Sequence, residues 1–216
     1  MPVRMTIDFV SDVSCPWCAI ALGGLETALA KVAAEIEAEI HFQPFELNPR
    51  MQKGGESLIE HLSEKYGSSA QDIAAAQEAI RERGAAVGFN FDLQKRTRIY
   101  NTFDAHRLLH WAGIEGKQRA LKHALLSAYF TEGRDPSDPA VLIEIAASVG
   151  LDGPRARQIL AADEYAAEVR ARERFYQSQG IDAVPTVIVD RRYLIQGGQP
   201  AQVFEELLRR LAAQSQ

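Results

Sequence analysis

The chain has 216 residues, of which 46% are hydrophobic and 25% charged. That is long and apolar enough to bury a core without disulfide staples, and it excludes a disordered or fibrous chain. A net charge of −5, from 24 Lys and Arg against 29 Asp and Glu, excludes the basic face a nucleic-acid protein needs. No apolar run approaches the roughly 18 to 20 residues of a membrane span, and the opening MPVRMTIDFVSDVSC lacks the continuous apolar stretch of a signal peptide, so a cytoplasmic protein is expected.

RMTIDFV, residues 4–10, puts Met5, Ile7 and Phe9 on one side, the alternation of a strand. SDVS interrupts it, and SCPWCAI follows with the only two cysteines, Cys15 and Cys18. From Pro16 to about Ala38, Leu22, Leu25, Leu29, Val32 and Ile36 recur at spacings of three and four, which predicts a helix with Pro16 in its first turn. Ile40, Phe42 and Phe45 predict a second strand that Pro44 and Pro49 confine to an edge or an end.

Residues 57–179 read as helical almost throughout. One apolar stripe runs through Tyr100, Phe103, Ala105, Leu108, Leu109 and Ala112, and another through Leu121, Leu125, Ala128 and Tyr129. Asp138, Pro139 and Gly150 have the chemistry of an N-cap, a first helical residue and a stop. The basic groups Lys95, Arg96, Arg98 and Arg170, Arg172, Arg174 read as solvated helix faces. After Gly180 the pattern returns to short strands in IDAVPTVIVD and RRYLIQGGQP. Residues 201–213 then close the chain as an amphipathic helix with Val203, Phe204, Leu207, Leu208 and Leu211 inward. The order β-α-β, helices, β-β-α is that of an α/β protein, with 1–50 and 180–216 forming one domain and 51–179 an inserted helical subdomain.

A C-x-x-C pair in a reducing compartment is more often catalytic or metal-binding than a structural bridge. At a strand-to-helix junction, the unpaired N–H groups and positive dipole end of the helix favour a thiolate on Cys15. Cys18, one turn further in, is placed to resolve a mixed disulfide. Pro16 removes an N–H beside the sulfurs and Trp17 offers an apolar platform, so the pair tunes the redox poise and meets substrate. Asp12 reads as a turn residue, with relay of a proton from Cys18 as its alternative.

SDVSCPWC, FELNP, NTFDAHRL, GIDAVPT and GGQP, in this order over almost the whole chain, resemble the FrnE-like branch of the DsbA thioredoxin-fold family. The resemblance implies a thioredoxin fold with a helical insertion and a thiol-disulfide oxidoreductase or isomerase whose catalytic residues are Cys15 and Cys18. It further implies a cis Pro185 facing the cysteines, Val184 offering main-chain hydrogen bonds to substrate, and Asn101 and His106 as binding candidates. No tightly bound cofactor and no metal are expected, with glutathione available as thiol co-substrate. The partners implied are disulfide- or thiol-bearing proteins or small molecules, and the pattern leaves room for a homodimer. The chain departs from the family in having no second cysteine pair near its C-terminus, and Trp17 stands where some relatives carry an activating histidine.

Three other readings compete. A kappa-class glutathione transferase or chromene-carboxylate isomerase would use the same architecture, but with serine at position 15. A zinc site would join the cysteines to His106 and His110, across a gap far beyond the roughly 12 to 15 residues of a finger. A peptide-holding module would use Trp17 and Val184 without the thiols.

Overall fold

The computed structural model describes residues 2–52 and 54–214. β1 (Val3–Ser11) alternates as its sequence predicts: Met5, Ile7 and Phe9 are buried on one face, and Thr6 and Asp8 face the other. α1 (Pro16–Lys31) starts with proline in its first turn, where a missing N–H breaks no helical bond.

The helix ends seven residues sooner than the apolar spacing predicts. Val32 caps it, and Ile36 instead opens β2 (Ile36–Pro44), which runs parallel to β1 over nine consecutive pairs from Val3 with Ile36 to Ser11 with Pro44. Ile36 is buried, and the nine-rung ladder, a tertiary interaction, overrides the local preference of the alanine-rich turn. Phe45 falls just beyond the strand.

β3 (Glu56–Ser57) precedes α2 (Leu58–Tyr66) and α3 (Ala70–Ala86), and pairs with β4 (Arg98–Ile99) in a two-stranded ribbon within the otherwise helical middle. α4 (Phe103–Ile114), α5 (Gln118–Phe130), α6 (Pro139–Ser148), α7 (Gly153–Ala161) and α8 (Ala166–Ser178) follow. Tyr100 lies before α4 rather than on its stripe. α6 is capped as predicted: the Asp138 side chain accepts from the Ala140 N–H, and Gly150 adopts φ 79° beyond its end.

β5 (Thr186–Val189) and β6 (Tyr193–Gln196) complete a four-stranded sheet of order β2-β1-β5-β6, antiparallel at both later junctions. α9 (Ala201–Gln214) packs with α1 over one sheet face. Its inward stripe is Phe204, Leu208, Leu211 and Ala212; Leu207 is half-buried, and Val203 is exposed because only one narrow face of the helix meets α1. This is a thioredoxin fold with a helical insertion, as the element order implied.

Two apolar cores meet beside the cysteines. The first joins the sheet, α1 and α9 to Ile80, Phe91, Leu126, Tyr129 and Phe130 and includes Cys15 and Cys18. The second lies among α4 to α7 and takes in Val13, fully buried two residues before Cys15. The SDVS break is therefore a bridge between cores, each end of it pinned by burial.

Four of the six basic residues depart from solvated helix faces. Lys95 and Arg98 are solvated, but in a turn and in β4, because this stretch forms the loop and ribbon before α4. Arg96 and Arg170 are drawn onto aromatic rings. Arg96 is in a loop and buried, its guanidinium over the Tyr129 and Phe130 rings at 5.2 and 5.1 Å from their centroids. Arg170 lies 3.8 Å from the Phe103 ring centroid and pairs with Glu46 and Glu173. Flat guanidinium groups stack on rings while bonding at their edges, which a charge count along the chain cannot reveal.

Candidate active site

Cys15 occupies the N-cap of α1 with extended backbone angles, and its side chain also reaches the loop that leads into β5. The Cys18 N–H donates to the Cys15 carbonyl at 3.1 Å, the first-turn bond that sets the two sulfurs side by side. Both thiols are buried and unbridged, Cys18 completely. Their acidities diverge. Hydrogen bonding from Cys18 holds the Cys15 thiol below its ordinary value against the effect of burial, with help from the Cys18 and Trp17 N–H groups. Burial pushes Cys18 well up, and a thiolate on Cys15 pushes it further. One sulfur can act as nucleophile while its neighbour keeps its proton.

The far end of the chain closes the site. The Val184–Pro185 peptide is cis, and Cys15 Sγ donates to the Val184 carbonyl at 3.7 Å across 169 positions of sequence. Pro185 is buried, whereas Val184, Pro16 and Trp17 stay partly exposed around the sulfur. Trp17 is clamped from two sides: the Arg83 guanidinium sits 5.1 Å from its ring centroid and also donates to the Gly198 carbonyl. A Cβ on Gly198 would come within 3.0 Å of the indole, so GGQP supplies a residue without a side chain where Trp17 needs the space.

Behind the cysteines, Asp12 organises the turn. Its Oδ1 accepts from the Ser14 N–H at 3.1 Å, and its Oδ2 from the Leu47 N–H at 2.8 Å. His106 Nε2 lies 3.6 Å from Oδ1 and 3.1 Å from the Phe45 carbonyl. A carbonyl only accepts, so Nε2 carries the ring proton. Although burial raises the Asp12 carboxyl, the His106 contact and the two N–H bonds outweigh it and hold the group below its ordinary value. Its oxygens are committed to the turn and the FELNP loop, in keeping with the turn reading.

Asn101 and His106 both meet the FELNP loop, at the Glu46 carboxylate and the Phe45 carbonyl. Asn101 accepts from the Phe103 N–H at 2.9 Å and reaches Glu46 at 3.5 Å. His110 packs on the Tyr165 ring and shares a cavity wall with His106, and no group of three or more His, Cys, Asp or Glu side chains that could hold a metal ion is found among the described residues.

Sequence reasoning missed two residues. Arg96 donates to the Ser14 carbonyl at 3.3 Å and to the Tyr129 hydroxyl at 3.1 Å. The residue before Cys15 is thus held at its N–H by Asp12 and at its carbonyl by Arg96. Lys122 is entirely buried, and its Nζ has no hydrogen-bond partner among the described residues. A signal existed: Lys122 is in phase with Leu125, Leu126 and Tyr129, all buried on α5, so a charge interrupts an inward stripe.

A thioredoxin fold that sets a C-x-x-C helix start against a cis-proline loop defines a class, and comparison with known proteins agrees. The model of the DSBA-like thioredoxin domain matches residues 6–209, and the chain belongs to that family. A "probable DsbA oxidoreductase" from Streptomyces coelicolor is 34% identical and superposes with a TM-score of 0.92 over 98% of this chain and 91% of its own. The Bacillus subtilis protein YwbO is 26% identical over 203 residues, 94% of each chain. The cytosolic disulfide reductase DsbM from Pseudomonas aeruginosa, solved with GSH, shares the fold at 18% identity, with a TM-score of 0.65 over 95% of this chain and 98% of its own.

Proposed function

We propose that the protein exchanges thiols and disulfides through Cys15 and Cys18. The observation that carries this reading is the meeting of Cys15 Sγ with the Val184 carbonyl beside buried Pro185, which puts the more acidic sulfur beside main-chain groups. An extended substrate backbone can hydrogen-bond at Val184, with Pro16 and Trp17 as the apolar rim.

In the reducing direction, the Cys15 thiolate attacks one sulfur of a substrate disulfide and the other sulfur leaves as a thiolate. Cys18, losing its proton, then attacks Cys15 Sγ, so that the Cys15–Cys18 disulfide forms and the second substrate thiol departs. The substrate gains two electrons and two protons; oxidation and isomerisation run the same steps in other orders. In this reading the substrates are disulfide- or thiol-bearing proteins or small molecules. The setting is cytoplasmic, glutathione restores the dithiol or disulfide, and the chain sits on the FrnE-like branch. The description of DsbM as a cytosolic reductase solved with GSH supports the choice of glutathione as the first thiol to try.

Insulin reduction and exchange with glutathione disulfide test the reading. Cys15→Ser is expected to abolish both, and Cys18→Ser to accumulate a mixed disulfide on Cys15. Full activity in Cys15→Ser refutes it and returns the thiol-independent transferase and peptide-holding readings.

A further inference from the structure

The sheet face turned away from α1 and α9 is only partly covered. One rung runs across all four strands, from His41 of β2 through Asp8 of β1 and Ile188 of β5 to Leu194 of β6, and it forms the floor of a cleft of about 590 Å³. α8 lines one side with Arg172, Phe175 and Tyr176, and the turn between β5 and β6 adds Arg191 and Arg192. No residue of the cysteine site lines it. Its volume falls within the roughly 300 to 1,000 Å³ of small-molecule sites.

The lining is apolar and cationic at once. Phe175 and Leu194 are 51% and 50% exposed, an unusual state for large apolar side chains in this chain. Arg172, Arg191 and Arg192 form no ion pair and no side-chain hydrogen bond among the described residues. The other charged or titratable groups of the cleft are engaged: Asp8 accepts from Gln43 Nε2 at 2.6 Å, and His41 Nε2 lies 3.5 Å from Glu39. Within a chain of net charge −5, three arginines face one cleft without a carboxylate of their own. The turn that carries two of them is held in an uncommon shape. Asp190 and Arg191 have φ 50° and 56°, where glycine is the ordinary choice. Asp190 fastens the turn to β1, its N–H donating to the Thr6 carbonyl and its Oδ1 accepting from the Thr6 N–H, both at 2.8 Å. Arginine at a position that suits glycine has a backbone cost, and contact with a ligand gives that cost a reason.

We propose that this cleft binds a small organic anion, a carboxylate or sulfonate carried on an apolar body. The charge meets Arg172, Arg191 and Arg192, whose planar guanidinium groups can bond the oxygens of an anion in pairs. The body lies on Ile188, Leu194 and Phe175. A bare inorganic anion would leave that apolar floor in water, and a neutral apolar molecule would draw nothing from the arginines. The site is separate from thiol exchange and does not depend on it.

The test is a fluorescence titration of the full chain with anilinonaphthalene sulfonate, a sulfonate on apolar rings that brightens as the rings leave water. Saturable binding is expected, reversed by decanoate at concentrations where decanol, the same alkyl chain without the charge, has no effect. Arg191→Gly combined with Arg192→Ala, in which glycine suits the positive φ, should weaken probe binding about tenfold or more, and Arg172→Gln by a similar factor. Leu194→Asp should abolish binding, whereas Ile59→Asp, at a similarly exposed position on α2, should bind as the wild type does. Four results overturn the inference: no saturable binding, equal displacement by decanol, wild-type affinity in the cleft variants, or an equal loss in Ile59→Asp. Sedimentation velocity adds a fifth, a dimer that Leu194→Asp dissociates, which puts a second copy of the chain on this face in place of a ligand.

Discussion

Replacing Asp12 with alanine isolates the turn that presents Cys15. The carboxylate is fully buried and is the acceptor for the N–H groups of Ser14 and Leu47, at 3.1 and 2.8 Å. Removing it leaves both donors inside the protein without a partner, at about 1 to 3 kcal/mol each, so the expected loss is about 2 to 6 kcal/mol. For a chain of this size, that lowers the melting temperature by roughly 5 to 20 °C. Asp12→Asn keeps one acceptor oxygen and should lose about half as much. The measurement is thermal unfolding of the reduced protein by circular dichroism. Asp12→Ala melting within about 2 °C of the wild type refutes the assignment of this carboxylate as the shared acceptor of the turn and the FELNP loop. The pH dependence has a definite sign. The folded carboxyl is held below its ordinary value, so its stabilisation is complete above about pH 4 and is lost as pH falls through the folded value. The gap between wild type and Asp12→Asn should therefore narrow in acid.

Other consequences can be checked in the same way. Burial, and then repulsion from Glu173, pushes Glu46 up to about 7 against the pull of Arg170. A carboxyl raised on folding stabilises in acid, and that contribution is lost as pH rises from its ordinary value through 7. Glu46→Gln should thus melt higher than the wild type at pH 8 and lose that advantage by about pH 5; a constant difference across the range contradicts the shift. Gly198→Ala brings a methyl group to 3.0 Å from the indole of Trp17, which Arg83 holds in place. It should cost about 1 kcal/mol or more through overpacking and alter the near-ultraviolet signal of tryptophan, whereas a wild-type melting temperature and spectrum show that the ring has room to yield.

Much of the site was legible because its chemistry is local. SCPWCAI announces a thiol pair at a helix start through composition and spacing alone, and AVPT is a four-residue signal for the loop opposite. The reading failed where a residue serves a distant partner. Ile36 continues the helical spacing of Leu29 and Val32, but the ladder with Val3 decides that it is a strand residue. Arg96 resembles its exposed neighbours, although its partners, Ser14 and Tyr129, lie 82 and 33 positions away. His106 is anchored by Phe45 and Asp12, 61 and 94 positions away, contacts that no local pattern shows.

By itself, then, the sequence determined the order of elements around Cys15 and Cys18 and the unequal chemistry of those two thiols, because helix starts, prolines and alternating strands act over a few residues. Only the tertiary structure decided what surrounds them. Folding brought Val184 to Cys15, tied the turn between Asp12 and Arg96, and buried Lys122 on α5. These contacts depend on burial and on pairing across long separations, and a linear pattern carries no record of which charge is removed from water.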